Sequence, residues 1–200
     1  MRELKIKQQS PEWFQEKVGR LSSTRMKQAL SASYMDVIDV LLSEKGSGRI
    51  EDNFVSLDMQ RGIDLEASVR EIFELLHEIK IEEVGLMLST EFEDLCLSPD
   101  GFNTKRTIAI EIKCPKTKTH VKYIRQNSLP AEYKEQVLTY FIVCDTCEVV
   151  YFISYDDRFK PRPYHEIKIT RSEVEQDIAE MKAKIRGFFN TLNKYKHVLS

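Results

Sequence analysis

The chain has 200 residues, of which 42% are hydrophobic and 31% charged, and its formal net charge is −2 at pH 7. These proportions exclude an intrinsically disordered chain, and the length suits one domain with a substantial core. No run of about 18 apolar residues is present to cross a membrane, and residues 1–5 lack the apolar region of a secretory signal. We therefore expect a cytoplasmic protein without a membrane partner.

The first third of the chain is predicted to be helical. Residues 10–12 combine a capping serine, a proline and an acid, which predicts a helix start, and Gly19 closes or interrupts that helix. The hydroxyl-rich residues 22–24 open a second helix. Residues 43–53 are polar and contain glycine, which predicts a mobile loop. Apolar side chains at helical spacing then predict an amphipathic helix over residues 62–77.

The remainder is predicted to combine strands with helices. A basic connection precedes Pro130, which begins a helix, and a last long helix covers residues 172–196. Apolar and alternating runs predict strands at residues 81–88, 92–98, 107–113, 149–154 and 164–169. This order predicts an α/β fold with a central mixed β-sheet flanked by helices.

One predicted strand pair carries residues with chemical potential. Residues 95–97 lead to Asp100 and a turn, and residues 107–113 are predicted to return as the antiparallel partner. Side chains two apart on a strand share a face, so Glu111 and Lys113 are expected to point the same way. Two acids and an amine would then converge at one rim of a sheet.

This combination is typical of a phosphodiester hydrolase. A carboxylate pair can anchor Mg²⁺, which keeps waters and takes further ligands from a substrate phosphate. A lysine can hold the attacking water and offset charge on the phosphate. The alternative is an exposed, salt-bridged strand face, but the apolar surroundings of Asp100, Glu111 and Lys113 favour the metal site.

Charge is distributed unevenly along the chain. Residues 62–94 contain ten acidic and two basic residues, whereas residues 105–125 contain seven basic residues and one acid. The basic segment surrounds the predicted catalytic strands, where a nucleic-acid backbone would lie. We predict that this segment binds the backbone rather than forming a solvated face. Its candidate contacts are Lys116, Lys118, Lys122 and Arg125.

The four cysteines predict no disulfide set in a chain without a visible secretory signal. Cys144 and Cys147 have the C-x-x-C spacing that a metal or iron–sulfur site can use. A connecting turn explains that pair, and burial as small apolar side chains explains Cys96 and Cys114. We therefore expect structural cysteines.

Six ordered sequence blocks resemble the lambda exonuclease family, also called YqaJ-like viral recombinases, within the restriction-endonuclease-like nucleases. The resemblance covers the chain from Glu12 to about Ile169. The blocks are Trp13 through Gly19 to Thr24, RGIDLE (61–66), SPDG (98–101), EIKCP (111–115), YKEQV (133–137) and YDDR (155–158).

Membership of that family would imply a restriction-endonuclease-like core and a Mg²⁺-dependent enzyme with two ions, for which Mn²⁺ can substitute. Such enzymes digest one strand of linear double-stranded DNA from a 5′ end. They act as homotrimeric rings around DNA, beside a single-strand annealing recombinase. The resemblance further implies a phage or prophage origin in a bacterial host.

The resemblance also implies roles for individual residues. Asp100 and Glu111 would be metal ligands, and Lys113 would orient the attacking water. Glu66 would supply a further carboxylate near the metals, or else be an exposed helix acid. Gln136 would hold water or substrate.

A site for the 5′-terminal phosphate is implied at Lys17, Thr24 and Ser98. Lys17 stands where similar enzymes carry an arginine, and lysine offers a point charge without a bidentate fork. Arg20 is the alternative residue for this contact. Thr24 has an alternative role as a helix N-cap.

We expect one nuclease domain over residues 1–200, with an N-terminal helical part at 10–60, a catalytic core at 61–170 and a C-terminal helix at 171–197. An alternative function is a structure-selective or restriction-type endonuclease, which would share Asp100, Glu111 and Lys113 but need no terminal-phosphate site. A non-catalytic DNA-binding module is disfavoured because these residues and Glu66 are all present.

Overall fold

The computed structural model describes residues 1–50 and 56–199. Its α-helices are α1 (Pro11–Lys17), α2 (Met26–Ala29), α3 (Tyr34–Ser47), α4 (Leu57–His77), α5 (Thr117–Gln126), α6 (Lys134–Val143) and α7 (Glu175–Leu199). Its strands are β1 (Arg2–Leu4), β2 (Leu21–Ser22), β3 (Ile81–Glu82), β4 (Leu86–Leu88), β5 (Leu95–Leu97), β6 (Gly101–Asn103), β7 (Ile108–Lys113), β8 (Val149–Tyr155) and β9 (Tyr164–Thr170). Within the described part of the chain, no helix is long and apolar enough to cross a membrane.

The strands form two mixed sheets. The larger sheet has the order β3-β6-β7-β8-β9, with β7 and β8 parallel and the other neighbours antiparallel. The smaller sheet has the order β1-β4-β5-β2, with β2 and β5 parallel. The predicted α/β fold with a central mixed sheet flanked by helices is confirmed, whereas the smaller sheet was not predicted.

The larger sheet is covered on both faces. On one face, Ile110 and Ile112 of β7 pack with Val69 and Phe73 of α4. The opposite face carries Ala109 and Phe152, which belong to the main core together with α6 and α7. Because side chains alternate along a strand, the face of β7 that turns towards α6 is also the face that carries Glu111.

The predicted pairing of residues 95–97 with residues 107–113 is wrong. β5 lies in the smaller sheet, and the antiparallel partner of β7 is β6. Pro99 lies at the crossing between the sheets, and it cannot donate a ladder hydrogen bond. Gly101 begins β6 rather than making a turn, and a Cβ there would lie 2.4 Å from the Ile81 side chain.

The single strand predicted at residues 81–88 is divided between the two sheets. β3 pairs with β6 in the larger sheet, and β4 pairs with β1 and β5 in the smaller one. The division falls at Gly85, where a Cβ would lie 1.9 Å from the Ile6 carbonyl oxygen. A glycine inside a strand pattern therefore marks the close approach of another backbone segment here.

Other boundaries also differ from the predictions. Residues 43–47 of the predicted loop form the end of α3, which Gly48 terminates with a φ of +69°; residues 51–53 lie outside the described residues. The basic connection before Pro130 contains α5, whose buried side chains are His120 and Tyr123. Its few apolar side chains lie on one face of the helix, an amphipathic pattern that the sequence prediction missed among the many basic residues. The predicted amphipathic and C-terminal helices are present as α4 and α7.

Candidate active site

Asp100 lies where the chain passes from the smaller sheet to the larger one. Its Oδ2 accepts a 2.6 Å hydrogen bond from the Ile112 amide of β7. Its own carbonyl oxygen accepts a 3.0 Å hydrogen bond from Nη1 of Arg70 on α4. These contacts place the carboxylate against β7, although the strand that precedes Asp100 does not pair with β7.

Glu111 projects from the middle of β7 and is only 1% exposed. Its Oε1 accepts hydrogen bonds from Lys113 Nζ and, at 2.7 Å, from Gln136 Nε2 on α6. Its Oε2 accepts a 2.6 Å hydrogen bond from the Tyr140 hydroxyl. A buried carboxylate is thus bonded at both oxygens, as burial of a charged group requires.

The electrostatics of the site are dominated by crowded carboxylates. Burial and the neighbouring Glu111 and Glu66 carboxylates raise the pKa of Asp100 well above its usual range. Burial alone would lower the pKa of Lys113, but Glu111 and Asp100 raise it instead. Lys113 therefore stays charged, because the neighbouring carboxylates favour its cationic form.

Glu66 lies on α4 at the edge of this group. Burial raises the pKa of Glu66, and its carboxylate interacts electrostatically with Lys113 and Glu111. Its carboxylate is 3.9 Å from Arg70 Nη1. Glu66 and Arg70 also line a cavity of about 420 Å³ that residues 7–10 close from the other side. The prediction that Glu66 is near the catalytic carboxylates agrees with this position.

Whether these residues can bind a metal ion depends on the ligand atoms that they offer. Asp100 and Glu111 offer hard oxygen ligands, which suit Mg²⁺ or Mn²⁺. Over the described ranges 1–50 and 56–199, no cluster of three or more His, Cys, Asp or Glu side chains is close enough to hold an ion. The residues therefore fit an ion anchored by two carboxylates and completed by water and substrate, with Glu66 outside the immediate pair.

Lys17 and Ser98 both contact Trp13 of α1. Lys17 Nζ lies 3.7 Å from the centre of the indole ring, and Trp13 Nε1 donates a 3.1 Å hydrogen bond to Ser98 Oγ. Burial and the nearby Arg25 cation lower the pKa of Lys17. Within the described part of the chain, no carboxylate lies within ion-pair distance of Lys17, so this cation is available to an anion.

Thr24 lies in the same region but is exposed. Its hydroxyl is 2.9 Å from that of Ser22, which pairs with Cys96 across the parallel β2–β5 ladder. Thr24 lies inside a 3₁₀ turn at Ser23–Arg25 rather than at its N-cap. The predicted alternative role as an N-cap is therefore wrong. Arg20 is bonded to two backbone carbonyl oxygens.

Four predicted backbone contacts lie on or beside α5. Lys116, Lys118, Lys122 and Arg125 are all exposed. Lys116 is 3.3 Å from Asp58, and Lys122 is 4.0 Å from Glu132. Exposed pairs of this kind are weak, so the lysines can exchange them for phosphate.

Arg106 is a different member of the basic segment. It forms ion pairs with Glu3 of β1 at 2.9 Å and with Glu82 of β3 at 2.8 Å. It therefore links the two sheets and is not part of the proposed backbone contacts.

Three residues near the site were not predicted. Tyr140 bonds Glu111 and follows Gln136 by one helical turn, a spacing that would have indicated a shared face. Arg70 bonds the Asp100 carbonyl oxygen. Arg25 lies near Lys17 and pairs at 2.7 Å with the buried Glu44, but nothing in the sequence distinguishes it from a surface arginine.

Comparison with known proteins adds independent information. Residues 12–147 match the family model of the YqaJ-like viral recombinase domain. No match among curated proteins is significant.

Solved structures similar to the chain include two exonucleases. The alkaline exonuclease LHK-Exo from Laribacter hongkongensis is 29% identical over 95% of this chain and 96% of that chain, with TM-scores of 0.86 for its complex with dAMP and 0.84 for a second crystal structure. A phage-related exonuclease from Haemophilus somnus 129PT has a TM-score of 0.62 at 12% identity, over 88% of this chain and 96% of that chain. The second likeness shows a shared fold alone.

Proposed function

The chain belongs to the YqaJ-like viral recombinase family, and we propose that it is a metal-dependent exonuclease that digests one strand of linear double-stranded DNA from the 5′ end. The observation that carries the proposal is the Asp100–Glu111 pair, in which Glu111 is buried and bonded to Lys113. The similarity to an alkaline exonuclease crystallised with dAMP supports it. A deoxynucleoside monophosphate is the product expected when an exonuclease removes single nucleotides.

Asp100 and Glu111 would hold Mg²⁺, for which Mn²⁺ can substitute. A bound divalent ion supplies Lewis acidity towards the scissile phosphate and lowers the pKa of the attacking water. We propose two ions: Asp100 and Glu111 anchor one, and Glu66, which lies outside this pair, is a carboxylate ligand of the other.

The protein groups have separate roles in the proposed reaction. The Lys113 ammonium orients the attacking water and offsets negative charge that develops on the phosphate. Gln136 holds the Glu111 carboxylate through a 2.7 Å hydrogen bond and positions water or substrate beside it.

The terminal phosphate is proposed to bind at Lys17, Ser98 and Thr24. Lys17 is a cation held against Trp13, and Ser98 bonds the same indole, so both groups lie on one side of α1. This position would set the distance from the 5′ end to the carboxylates and so select the bond to be cut.

The wider assembly is proposed from the resemblance and the charge distribution. Lys116, Lys118, Lys122 and Arg125 would contact the backbone of the duplex, and three copies of the chain would form a ring around it. The enzyme would work beside a single-strand annealing recombinase in phage-type recombination, in the cytoplasm of a bacterial host. Residues 1–200 would form one nuclease domain.

The direction of digestion is tested with three substrates of one sequence. With Mg²⁺ present, linear duplexes carrying 5′-phosphate and 5′-hydroxyl ends are compared with a covalently closed circle. The proposal predicts faster digestion from the phosphorylated end and no cutting of the circle, and Lys17→Ala should remove much of the difference between the two ends. Equal rates on both ends would refute the phosphate site, and rapid nicking of circles would favour the endonuclease alternative.

A further inference from the structure

Tyr140 connects the Glu111 carboxylate with the backbone of Asp100. It is fully buried on α6, and its hydroxyl donates a 2.6 Å hydrogen bond to Glu111 Oε2. The Tyr140 hydroxyl oxygen in turn accepts a 3.4 Å hydrogen bond from the backbone amide of Asp100. A second acceptor, the Ile110 carbonyl oxygen, is 3.3 Å from the hydroxyl oxygen, which is farther than Glu111 Oε2 at 2.6 Å. The single hydroxyl proton is therefore directed to the carboxylate.

Gln136 and Tyr140 hold Glu111 from one face of α6. The two residues are four apart, which places their side chains side by side on the helix, and they bond opposite oxygens of the carboxylate. A carboxylate has about four lone-pair sites. Gln136 and Lys113 use two sites on Oε1, and Tyr140 uses one on Oε2. Rotation of the Glu111 carboxylate would break at least one of these bonds.

Resting on the proposed function, we propose that the Tyr140 hydroxyl is a positioning group that fixes Glu111 relative to Asp100 and so strengthens divalent-ion binding by the pair. Groups that orient metal ligands through hydrogen bonds commonly change metal affinity or activity by about 10–100-fold when they are removed. The aromatic ring has a separate, structural role, since it packs 5.9 Å from the ring of Phe102. Substitution by phenylalanine keeps the ring and removes only the hydroxyl.

The test compares wild type with Tyr140→Phe in two assays. Calorimetric titration with Mn²⁺, without DNA, measures ion affinity directly, and hydrolysis of a linear duplex measures the Mg²⁺ concentration for half-maximal rate. We expect Mn²⁺ binding to weaken by about 10-fold or more, with a parallel rise in the Mg²⁺ midpoint. The rate at saturating Mg²⁺ should change less than the midpoint, because excess ion restores occupancy.

Tyr164→Phe is the matched control. Tyr164 is partly buried, and its hydroxyl also donates a hydrogen bond to a carboxylate, at 2.5 Å to Glu166 on β9, outside the proposed site. The control should leave both ion midpoints unchanged. Thermal unfolding of the ion-free proteins shows whether each variant retains its fold.

A Tyr140→Phe protein that is less stable but binds Mn²⁺ as tightly as wild type would overturn the inference, since the hydroxyl would then be purely structural. An equal shift in Tyr164→Phe would overturn it as well. Either outcome leaves the proposed function intact, provided that DNA hydrolysis by wild type still requires Mg²⁺. A wild-type protein that neither binds Mn²⁺ nor cleaves DNA would instead refute the proposed function, and the inference with it.

Discussion

Asp156 is predicted to be a major stabilising residue because it joins three separate segments of the chain. It follows β8, is fully buried, and accepts hydrogen bonds from Arg61 of α4 at 3.0 Å and from Thr117 of α5 at 2.5 Å. Arg158 Nε donates a further bond of 2.6 Å. Arg61 and Arg158 also bond the Cys114 and Pro115 carbonyl oxygens, so this network holds the connection between Lys113 and α5.

The expected cost of Asp156→Ala follows from these contacts. Removing one partner of a buried ion pair costs about 3–5 kcal/mol. Arg158 is 45% exposed and Arg61 is 23% exposed, so water can solvate both guanidinium groups again, and we take the lower limit of about 3 kcal/mol. At about 2–4 °C per kcal/mol for a chain of this size, the melting temperature should fall by about 6–12 °C.

Asp157→Ala provides the control in the same assay. Asp157 also pairs with Arg61 but is 47% exposed, so its loss should cost less than about 1 kcal/mol. Scanning calorimetry or urea unfolding of both variants measures the difference. Equal losses of stability in the two variants would refute the reasoning, because burial would then not determine the effect.

Three further predictions concern the proposed site. Lys113→Ala should lower the hydrolysis rate at saturating Mg²⁺ by about 10²–10³-fold, the scale for one preorganised electrostatic group, and a rate within twofold of wild type would contradict its role. Burial and Glu111 raise the pKa of Asp100, so its ionisation destabilises the ion-free fold as pH rises through that pKa. Asp100→Asn should therefore be more stable than wild type at pH 8 by calorimetry, with the difference decreasing towards pH 4; a constant difference would contradict the assignment. The triple variant Lys116→Ala, Lys118→Ala and Lys122→Ala removes three exposed lysines. The magnitude of the slope of log DNA affinity against log salt should fall by about 2.7, at about 0.9 per phosphate contact. An unchanged slope would exclude these lysines from the DNA contacts.

The central residues of the site could be predicted because their signals are local. Strand alternation alone places Glu111 and Lys113 on one face, and the structure has them in contact. Gln136 and Glu66 are far away in sequence, and only the family resemblance connected them with Asp100. Their positions in the structure agree with that prediction, whereas their roles stay predictions.

The smaller sheet could not be predicted because its strands are too short to show a period. β1, β4 and β5 have three residues each and β2 has two, so alternation cannot be distinguished from a loop pattern. The crossings between sheets are marked only by Gly85 and Pro99, residues that also occur in ordinary turns.

Tyr140 was missed for a different physical reason. It lies in α6 within seven consecutive buried residues, 137–143, where an aromatic side chain is expected as part of the core. Its hydroxyl becomes informative only when the position of Glu111 is known. A polar atom at the end of a core side chain gives no periodic signal in the sequence.

The most direct test is whether hydrolysis requires both a divalent ion and the Asp100 carboxylate. A linear duplex labelled at its 5′-terminal nucleotide is incubated with wild type or Asp100→Asn, with Mg²⁺ or with excess chelator, after calorimetry has established that both proteins are folded. Wild type with Mg²⁺ should release labelled deoxynucleoside monophosphate, and neither the chelated enzyme nor Asp100→Asn should do so. Digestion by Asp100→Asn at the wild-type rate, or by wild type in chelator, would contradict this requirement.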